Sequence, residues 1–437
     1  MKKYLILFVQ SYPNFRIAEL EALADLEGVT VDLSKHNDKI PFLEVELEND
    51  DCAKRLVSRA ILTRGIYELW GQGSTYEELH NLIKSSKDLN FRQFDDVSFK
   101  FTFESFKGRQ SLKEQLKIIE SFSYLDFNGK IDLKSPQETF TILEEYEVYG
   151  MERATAPKYL WFGRQVQLSE KMRTNIVEKY DLKKRGYIGT TSFDAELSLV
   201  TCNMAHVQQK NIVYDPFAGT GSFMVAAAAF GGLTFGSDID ARMISGKDGK
   251  TIASNFKDYG TTPNFMDVLT MDFTHNAFRS DFKIDTIICD PPYGVREGLR
   301  VLGAKNEEKA AGRESNIYNG SLAYLRRDFV PPKRPYELSS LLDDLLQFSS
   351  ERLVENGRLA FWMPTANDDF EATLIPQHEK LELQYNIEQS FNKWSRRLLV
   401  YVKRGDLYVG VTSNGLRESN VRSFRDRYFS KFSENSR

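Results

Sequence analysis

Between Asn211 and Asp290 the chain repeats one rhythm: a short apolar run, a turn rich in glycine or aspartate, then a helix-forming stretch. "NIVYD" leads through "PFAGTG" into "SFMVAAAAF", "LTFGSDID" leads into a helix beginning near Ala241, and "NFMDVL" and "IDTIICD" supply two more runs. Apolar runs that alternate with helices bury both their faces only in a parallel sheet covered by helices. A helix over 338–353, the strand "GRLAFWMP", a short helix, and the pair "LQYNIEQSF" and "RRLLVYVKR" follow. The expectation is an α/β domain with an open, mostly parallel sheet of five strands and an antiparallel pair.

Upstream the pattern differs. "KYLILFV", "NFRIAELEALADLEG" and "FLEVELEN" read strand, helix, strand, with Asn14 as N-cap and Gly28 as C-cap. A helix over Asp51–Arg59 and the strand "GIYELWG" carry a first α+β region to about residue 88. "FKFTFESF", a helix near 111–120, "ETFTILEEY" and "KYLWFGRQV" make a second, with a loop at 147–157. A length of 437 residues accommodates roughly three domains. We therefore expect domains at 1–90 and 91–168, a linker at 169–189, and the α/β domain at 190–437, with an amphipathic helix over Ser192–Ala205 near its start.

The net charge is −4, with the first 170 residues acidic and the remainder slightly basic, which argues against an indiscriminate polyanion binder. Local basic clusters remain at Lys183-Lys184-Arg185, Arg326-Arg327, Lys333-Arg334 and Arg396-Arg397. Scattered, such clusters are solvated surface; ringed around one cleft, they are a phosphate track. Cys52, Cys202 and Cys289 match neither disulfide nor zinc-ligand spacing, and the histidines form no metal or triad pattern. A reducing compartment, cytoplasmic or nuclear, and no resident metal are expected. The apolar part of "MKKYLILFVQSYPN" covers only Tyr4–Val9, too short for a signal peptide, and no other apolar run is long enough to span a membrane.

Two turns carry the chemistry. "DPFAGTGS", residues 215–222, ends the first strand of the α/β domain, and Gly219 and Gly221 let a ligand approach the backbone without Cβ obstruction. Glycine turns also arise for purely structural reasons. The third glycine of the dinucleotide fingerprint is replaced by Met224, and the lysine of a P-loop is absent. Instead Asp215 closes the first strand, Asp238 closes the second, and Asp267 lies in the third. Singly, each reads as a turn or cap residue. In order, they suit a ligand with an amino group, a ribose diol and an adenine amine, laid beyond the strand C-termini. S-adenosylmethionine fits that description; a pyrophosphate would be repelled.

The second turn is "CDPPYG". Pro291 and Pro292 have fixed φ and no N–H, and each pushes the residue before it towards an extended conformation. Asp290 to Tyr293 should therefore form a stiff ledge at the end of the fourth strand, beside the glycine turn. An exocyclic base amine is a poor nucleophile because its lone pair is delocalised into the ring. Asp290 and the Pro291 carbonyl would accept its two N–H groups, favour a pyramidal nitrogen and aim the lone pair at a methyl sulfonium. Tyr293 would stack on a base drawn out of its own stack. Catalysis would then be orientation and electrostatics, with Asp290 an ionised acceptor at a reference pKa of about 3.9. Cys289 raises the alternative of covalent attack on a pyrimidine, but a thiol inside an apolar strand is commonly inert packing.

Together these motifs resemble the class I amino-methyltransferases. "LKKRGYIGTTSFDAELSL", "MKKYL", "ILTRGIYELWGQG", "DVLTMDF", "LAFWMPTAND" and "FNKWSRRLLVY" look like the tRNA guanosine-10 N2-methyltransferases over nearly the whole chain. The resemblance implies a ferredoxin-like domain, a THUMP domain that holds the tRNA acceptor end, and a class I Rossmann-like methyltransferase domain. It also implies S-adenosylmethionine as cofactor, tRNA as substrate and a small zinc-binding activator as obligate partner, paired with an edge strand at 264–269. Carried onto this chain, it makes Asp290, Pro291, Pro292 and Tyr293 the base-amine site. Asp215, Phe217, Gly219, Thr220, Gly221, Asp238, Ile239, Asp267 and Val268 become the cofactor site, with Thr190, Thr191 and Ser192 near the methionine carboxylate. Lys183, Lys184, Arg185, Arg326, Arg327, Arg396 and Arg397 are the candidates for tRNA contact, and 295–335 is a mobile loop over the substrate. Two other readings stand beside this one: an adenine-N6 methyltransferase on DNA or another RNA, and a non-catalytic tRNA-binding subunit with a relic site.

Overall fold

The computed structural model describes residues 1–86, 89, 91–149, 152–169, 176–293, 299–304, 316–318, 320–326, 329, 331–367, 370–392 and 394–412. The chain divides into two units, Met1–Glu178 and Lys179–Arg437.

In the first unit, β1 (Lys2–Phe8), β2 (Phe42–Leu47), β3 (Thr63–Gly73), β4 (Phe99–Phe106), β5 (Glu138–Glu145) and β6 (Tyr159–Leu168) form one sheet, ordered β2-β1-β3-β6-β5-β4. Its helices are α1 (Arg16–Glu27), α2 (Asp50–Val57), α3 (Tyr76–Ser85) and α4 (Leu112–Ser121). Side chains start three of them: Asn49 accepts from the Cys52 N–H, Thr75 from the Glu78 N–H, and Ser111 with Glu114 makes a capping box. The fourth differs from expectation. Pro13–Phe15 form a 3₁₀ turn, so Phe15 rather than Asn14 occupies the cap position of α1, while Gly28, at φ 60°, ends that helix as foreseen.

The break expected at residue 90 cuts through this sheet. β3 pairs with β6 from Gly65 opposite Leu168 to Gly73 opposite Leu160, and pairing across such a distance in sequence leaves no mark in local periodicity. Trp70 of β3 lies 5.1 Å from Phe140 and 5.9 Å from Phe162, ring to ring, so both stretches share one aromatic core. Truncating Phe140 to alanine there would cost about 3–5 kcal/mol.

In the second unit, β7 (Ile212–Asp215), β8 (Leu233–Asp238), β9 (Phe265–Thr270), β10 (Ile284–Cys289), β11 (Leu353–Ala366), β12 (Leu381–Ser390) and β13 (Trp394–Lys403) form a sheet ordered β9-β8-β7-β10-β11-β13-β12. The first five are parallel, and β13 runs antiparallel to both β11 and β12. The α/β expectation of five parallel strands and an antiparallel pair is met. The helices are α5 (Ala195–Met204), α6 (Ser222–Ala229), α7 (Ala241–Ser245), α8 (Ile252–Tyr259) and α9 (Leu338–Arg352). α5 begins three residues later than expected, where the Asp194 carboxylate accepts from the Leu197 N–H at 2.9 Å. β9 is an outer edge, with Met266 49% and Leu269 39% exposed. Among the described residues, no helix is long and apolar enough to cross a membrane.

Candidate active site

Strand order in the second sheet reverses between β7 and β10, which pair in parallel with Val213 opposite Thr286 and Tyr214 opposite Ile287. The glycine turn leaves the C-terminal end of β7 and the aspartate ledge leaves the same end of β10. Both therefore open on one side of the sheet, at its switch point.

Gly219 (φ 52°) and Gly221 (φ 80°) adopt left-handed conformations, and a Cβ at Gly221 would lie 2.8 Å from Ile252 Cγ2. The turn is held by the acids expected beside it. Asp238 accepts from the Gly219 N–H at 2.9 Å and the Asp240 N–H at 2.8 Å, and Asp215 accepts from the Phe217 N–H at 3.0 Å. Thr220 shares a 2.7 Å hydrogen bond with Ser192, whose oxygen also accepts from the Gly189 N–H at 2.8 Å. Ser192 thus joins the turn, while Thr190 and Thr191 are exposed beside it. Ile239 presents its carbonyl to Lys333 Nζ at 2.8 Å.

The acids are poorly solvated. Burial pushes the Asp215 carboxyl well above the usual carboxylate range, and the neighbouring charges of Asp238 and Asp290 push it further. Asp238 is raised too, again mainly by burial, although two backbone N–H groups hold it back. Burial pushes Asp290 up to about 6, with the Tyr293 hydroxyl and the Arg396 charge pulling it down. Asp290 is therefore a better proton acceptor than its reference value implied. Burial also raises the Cys289 thiol well above its ordinary value, which removes the thiolate that covalent attack needs.

Tyr293 does more than offer a face. Its hydroxyl donates to Asp290, taking the acceptor expected for the substrate amine. Its ring meets Trp394 edge-on at 6.3 Å, and Trp394 stacks on Phe391 at 4.5 Å. Pro291 is buried and Pro292 exposed, so the ledge has an inner and an outer face.

Asp267 and Val268 stand elsewhere. Asp267 is exposed midway along β9, opposite Phe235, because the strand runs on to Thr270 opposite Asp238. The acid just beyond the strand end is Asp272, 4% exposed, which accepts from the Thr274 N–H at 2.9 Å and the Leu302 N–H at 2.8 Å. "DVLTMDF" holds both acids; extending the apolar run by three residues would have picked the second.

The basic residues do not gather into one track. Lys183 and Lys184 are exposed, but Arg185 turns inward and is 5% exposed. Arg396 lies over Phe193 at 4.1 Å and Trp362 at 4.7 Å while donating to Gln389. Arg397 pairs with Glu388 and covers Phe370 at 3.8 Å. Arg326 lies over Tyr318, and Arg327 falls outside the described residues. Of the segment 295–335, the short strands Arg300–Leu302 and Lys333–Pro335 pair with each other, tied to Asp272 and Ile239; 295–298, 305–315, 319, 327–328 and 330 lie outside the described residues.

Residues 2–171 match the Tmrp11 THUMP N-terminal domain, and residues 183–301 match the RMKL-like methyltransferase domain. The tRNA (guanine(10)-N(2))-methyltransferase of Saccharomyces cerevisiae is 55% identical over 99% of this chain and 100% of its own. This chain belongs to that family. The Schizosaccharomyces pombe member is 34% identical over 98% of this chain and 97% of its own, and the Homo sapiens member 32% over 98% and 96%. The second unit is accordingly a class I Rossmann-like methyltransferase domain that uses S-adenosylmethionine, preceded by a THUMP-related α+β unit. A group of poorly solvated acids beside a glycine turn fits a ligand that carries positive charge on sulfur and nitrogen.

Proposed function

We propose that this chain transfers a methyl group from S-adenosylmethionine to the exocyclic N2 amine of guanosine 10 in tRNA, as the names of its relatives say of them. The observation that carries the mechanism is the Asp290 carboxyl, one strand away from the Asp215 glycine turn. S-adenosylmethionine, when bound, supplies an electrophilic methyl on a positively charged sulfur. Gly219 and Gly221 give it room, Asp238 keeps lone pairs for a ribose diol, and Asp272, rather than Asp267, stands at the adenine end.

Asp290 and the Pro291 carbonyl accept the two N–H groups of the amine, freeing the nitrogen lone pair from the ring. The incoming amine must first displace the Tyr293 hydroxyl, so entry of the base and rotation of Tyr293 onto its face are one event. As the N–C bond forms, the methyl C–S bond breaks and leaves its electron pair on sulfur as the thioether S-adenosylhomocysteine, and the nitrogen proton passes to Asp290, whose raised pKa suits a transient acceptor.

The THUMP-related unit then holds the tRNA, with Lys183 and Lys184 free to meet phosphate. A small zinc-binding activator pairs with the open edge of β9 and covers Met266 and Leu269, giving a heterodimer. Three buried, unbridged cysteines accord with a cytoplasmic protein. Nucleoside mass spectrometry of tRNA treated with the protein, with and without the activator, tests the reading. N2-methylguanosine is expected, whereas N6-methyladenosine or an unchanged nucleoside profile would overturn it. Met266→Lys with Leu269→Lys should abolish co-purification of the activator; retained co-purification places the partner elsewhere.

A further inference from the structure

Among the described residues, Arg185 is a buried charge with no counter-charge. It is 5% exposed, its Nη1 donates to the Ser222 hydroxyl at 2.9 Å, and its Nη2 donates to the Tyr180 carbonyl at 3.5 Å. Among the described residues its Nε has no partner and no carboxylate forms an ion pair with it. A guanidinium removed from water and left unmatched is unfavourable unless an anion completes it. Lys183 and Lys184, its neighbours in sequence, are exposed, so the inward turn of Arg185 is specific.

Where it points matters. Ser222 is the first residue of α6, directly after Gly221, and its hydroxyl also accepts from the Phe193 N–H at 3.1 Å. α6 has no side-chain cap, so its first N–H groups face the glycine turn unpaired by any cap. Two sources of positive potential, a helix start and a buried guanidinium, thus converge behind a turn whose other flank is lined by Asp215 and Asp238. The amino-acid end of S-adenosylmethionine is a zwitterion and matches both sides: its ammonium faces the acids, its carboxylate the cations.

We propose that Arg185 is the cation that selects the cofactor's α-carboxylate, acting through Ser222 and the first turn of α6 as a positioning residue. The proposal rests on S-adenosylmethionine being the ligand of this turn. The test is calorimetric binding of two probes to the full chain: S-adenosylhomocysteine, and 5′-methylthioadenosine, which keeps the adenosine and sulfur but lacks the amino-acid end. Arg185→Met should weaken S-adenosylhomocysteine about tenfold and leave 5′-methylthioadenosine within about twofold, while Arg185→Lys recovers most of the loss. Parallel weakening of both probes makes Arg185 a structural prop and overturns the proposal, as does unchanged binding of both. Should Arg185→Met not fold, Ser222→Ala breaks the same relay: selective loss of S-adenosylhomocysteine supports the proposal and parallel loss sinks it. If the unaltered chain binds neither probe, the cofactor reading itself has failed, a result distinct from the others.

Discussion

In the first unit the buried cation Arg164 is ringed by acids, with Glu68 at 2.9 Å, Glu138 at 3.6 Å and Asp50 bound as well, and Lys2 closes the ring on Glu68 at 2.7 Å. In the second unit Asp238 and Asp290 lie close enough to Asp215 to raise it, while among the described residues no acid pairs with the buried Arg185. The difference shows in the proton affinity of Asp50, although burial still leaves Glu138, at the rim of the same ring, above its ordinary value. Burial pushes Asp50 up, but hydrogen bonds from Tyr4 and Arg164 outweigh it and leave Asp50 below its ordinary value. Asp215 and Asp290, more strongly desolvated and without an ion pair of that kind, stay above theirs. Matched charges define a framework; unmatched ones mark where a ligand supplies the missing partners.

The sharpest way to break that contrast is to remove one charge from each unit. Asp290→Asn should lower single-turnover methyl transfer by about a thousandfold, because it removes the charged, proton-accepting carboxylate that the proposed mechanism sets against the reacting amine. Its thermal midpoint should hold or rise, since the carboxylate is ionised at a disadvantage in the folded state. A midpoint that falls by several degrees would make Asp290 a framework charge after all. Arg164→Met should do the opposite: destabilise the first unit by about 3–5 kcal/mol in urea unfolding, by leaving Glu138 without its cation and Asp50 and Glu68 with Lys2 alone, yet spare S-adenosylhomocysteine binding. A loss below about 1 kcal/mol would show that the ring of acids tolerates an empty centre.

How much of this was legible from sequence depends on the range of the interaction. The strand and helix order, the left-handed bend at Gly219–Gly221 and the proline-stiffened ledge are local, and each was readable from residue type and spacing. The union of β3 with β6 was not, because nothing near residue 70 encodes a partner near residue 160. Burial of charge was hidden for a related reason. "LKKRGY" reads as three equivalent cations, but Lys183 and Lys184 sit in the solvent-facing turn Leu182–Lys184, and the chain is extended again at Arg185, whose side chain turns under α6. Arg396 and Arg397 likewise alternate along β13, one onto a bed of rings and the other onto Glu388. The choice between Asp267 and Asp272 turned on where β9 stops, and strand ends are set by pairing to the neighbour, here Thr270 opposite Asp238.

Two smaller effects follow from protons alone. With Asp290 near 6 in the folded protein, the rate should be level above pH 7 and fall about tenfold per unit below pH 6, as the acceptor takes up a proton; a rate still flat at pH 5 would remove Asp290 from the chemistry. The same raised affinity gives cofactor binding a proton signature. Both Asp215 and Asp290 bind protons more readily when folded, and with Asp290 at about 6 part of the population carries its proton near pH 6. A ligand bringing positive sulfur and an ammonium group favours the ionised acids, lowers their pKa and must release protons. Calorimetry of S-adenosylmethionine at pH 6 in buffers of different ionisation enthalpy should therefore report release of a fraction of a proton that fades by pH 8. The matched ring around Arg164 should contribute nothing to this signal, because its charges are already compensated by one another; release that vanished in Arg164→Met, or uptake in place of release, would dissolve the distinction between the two units.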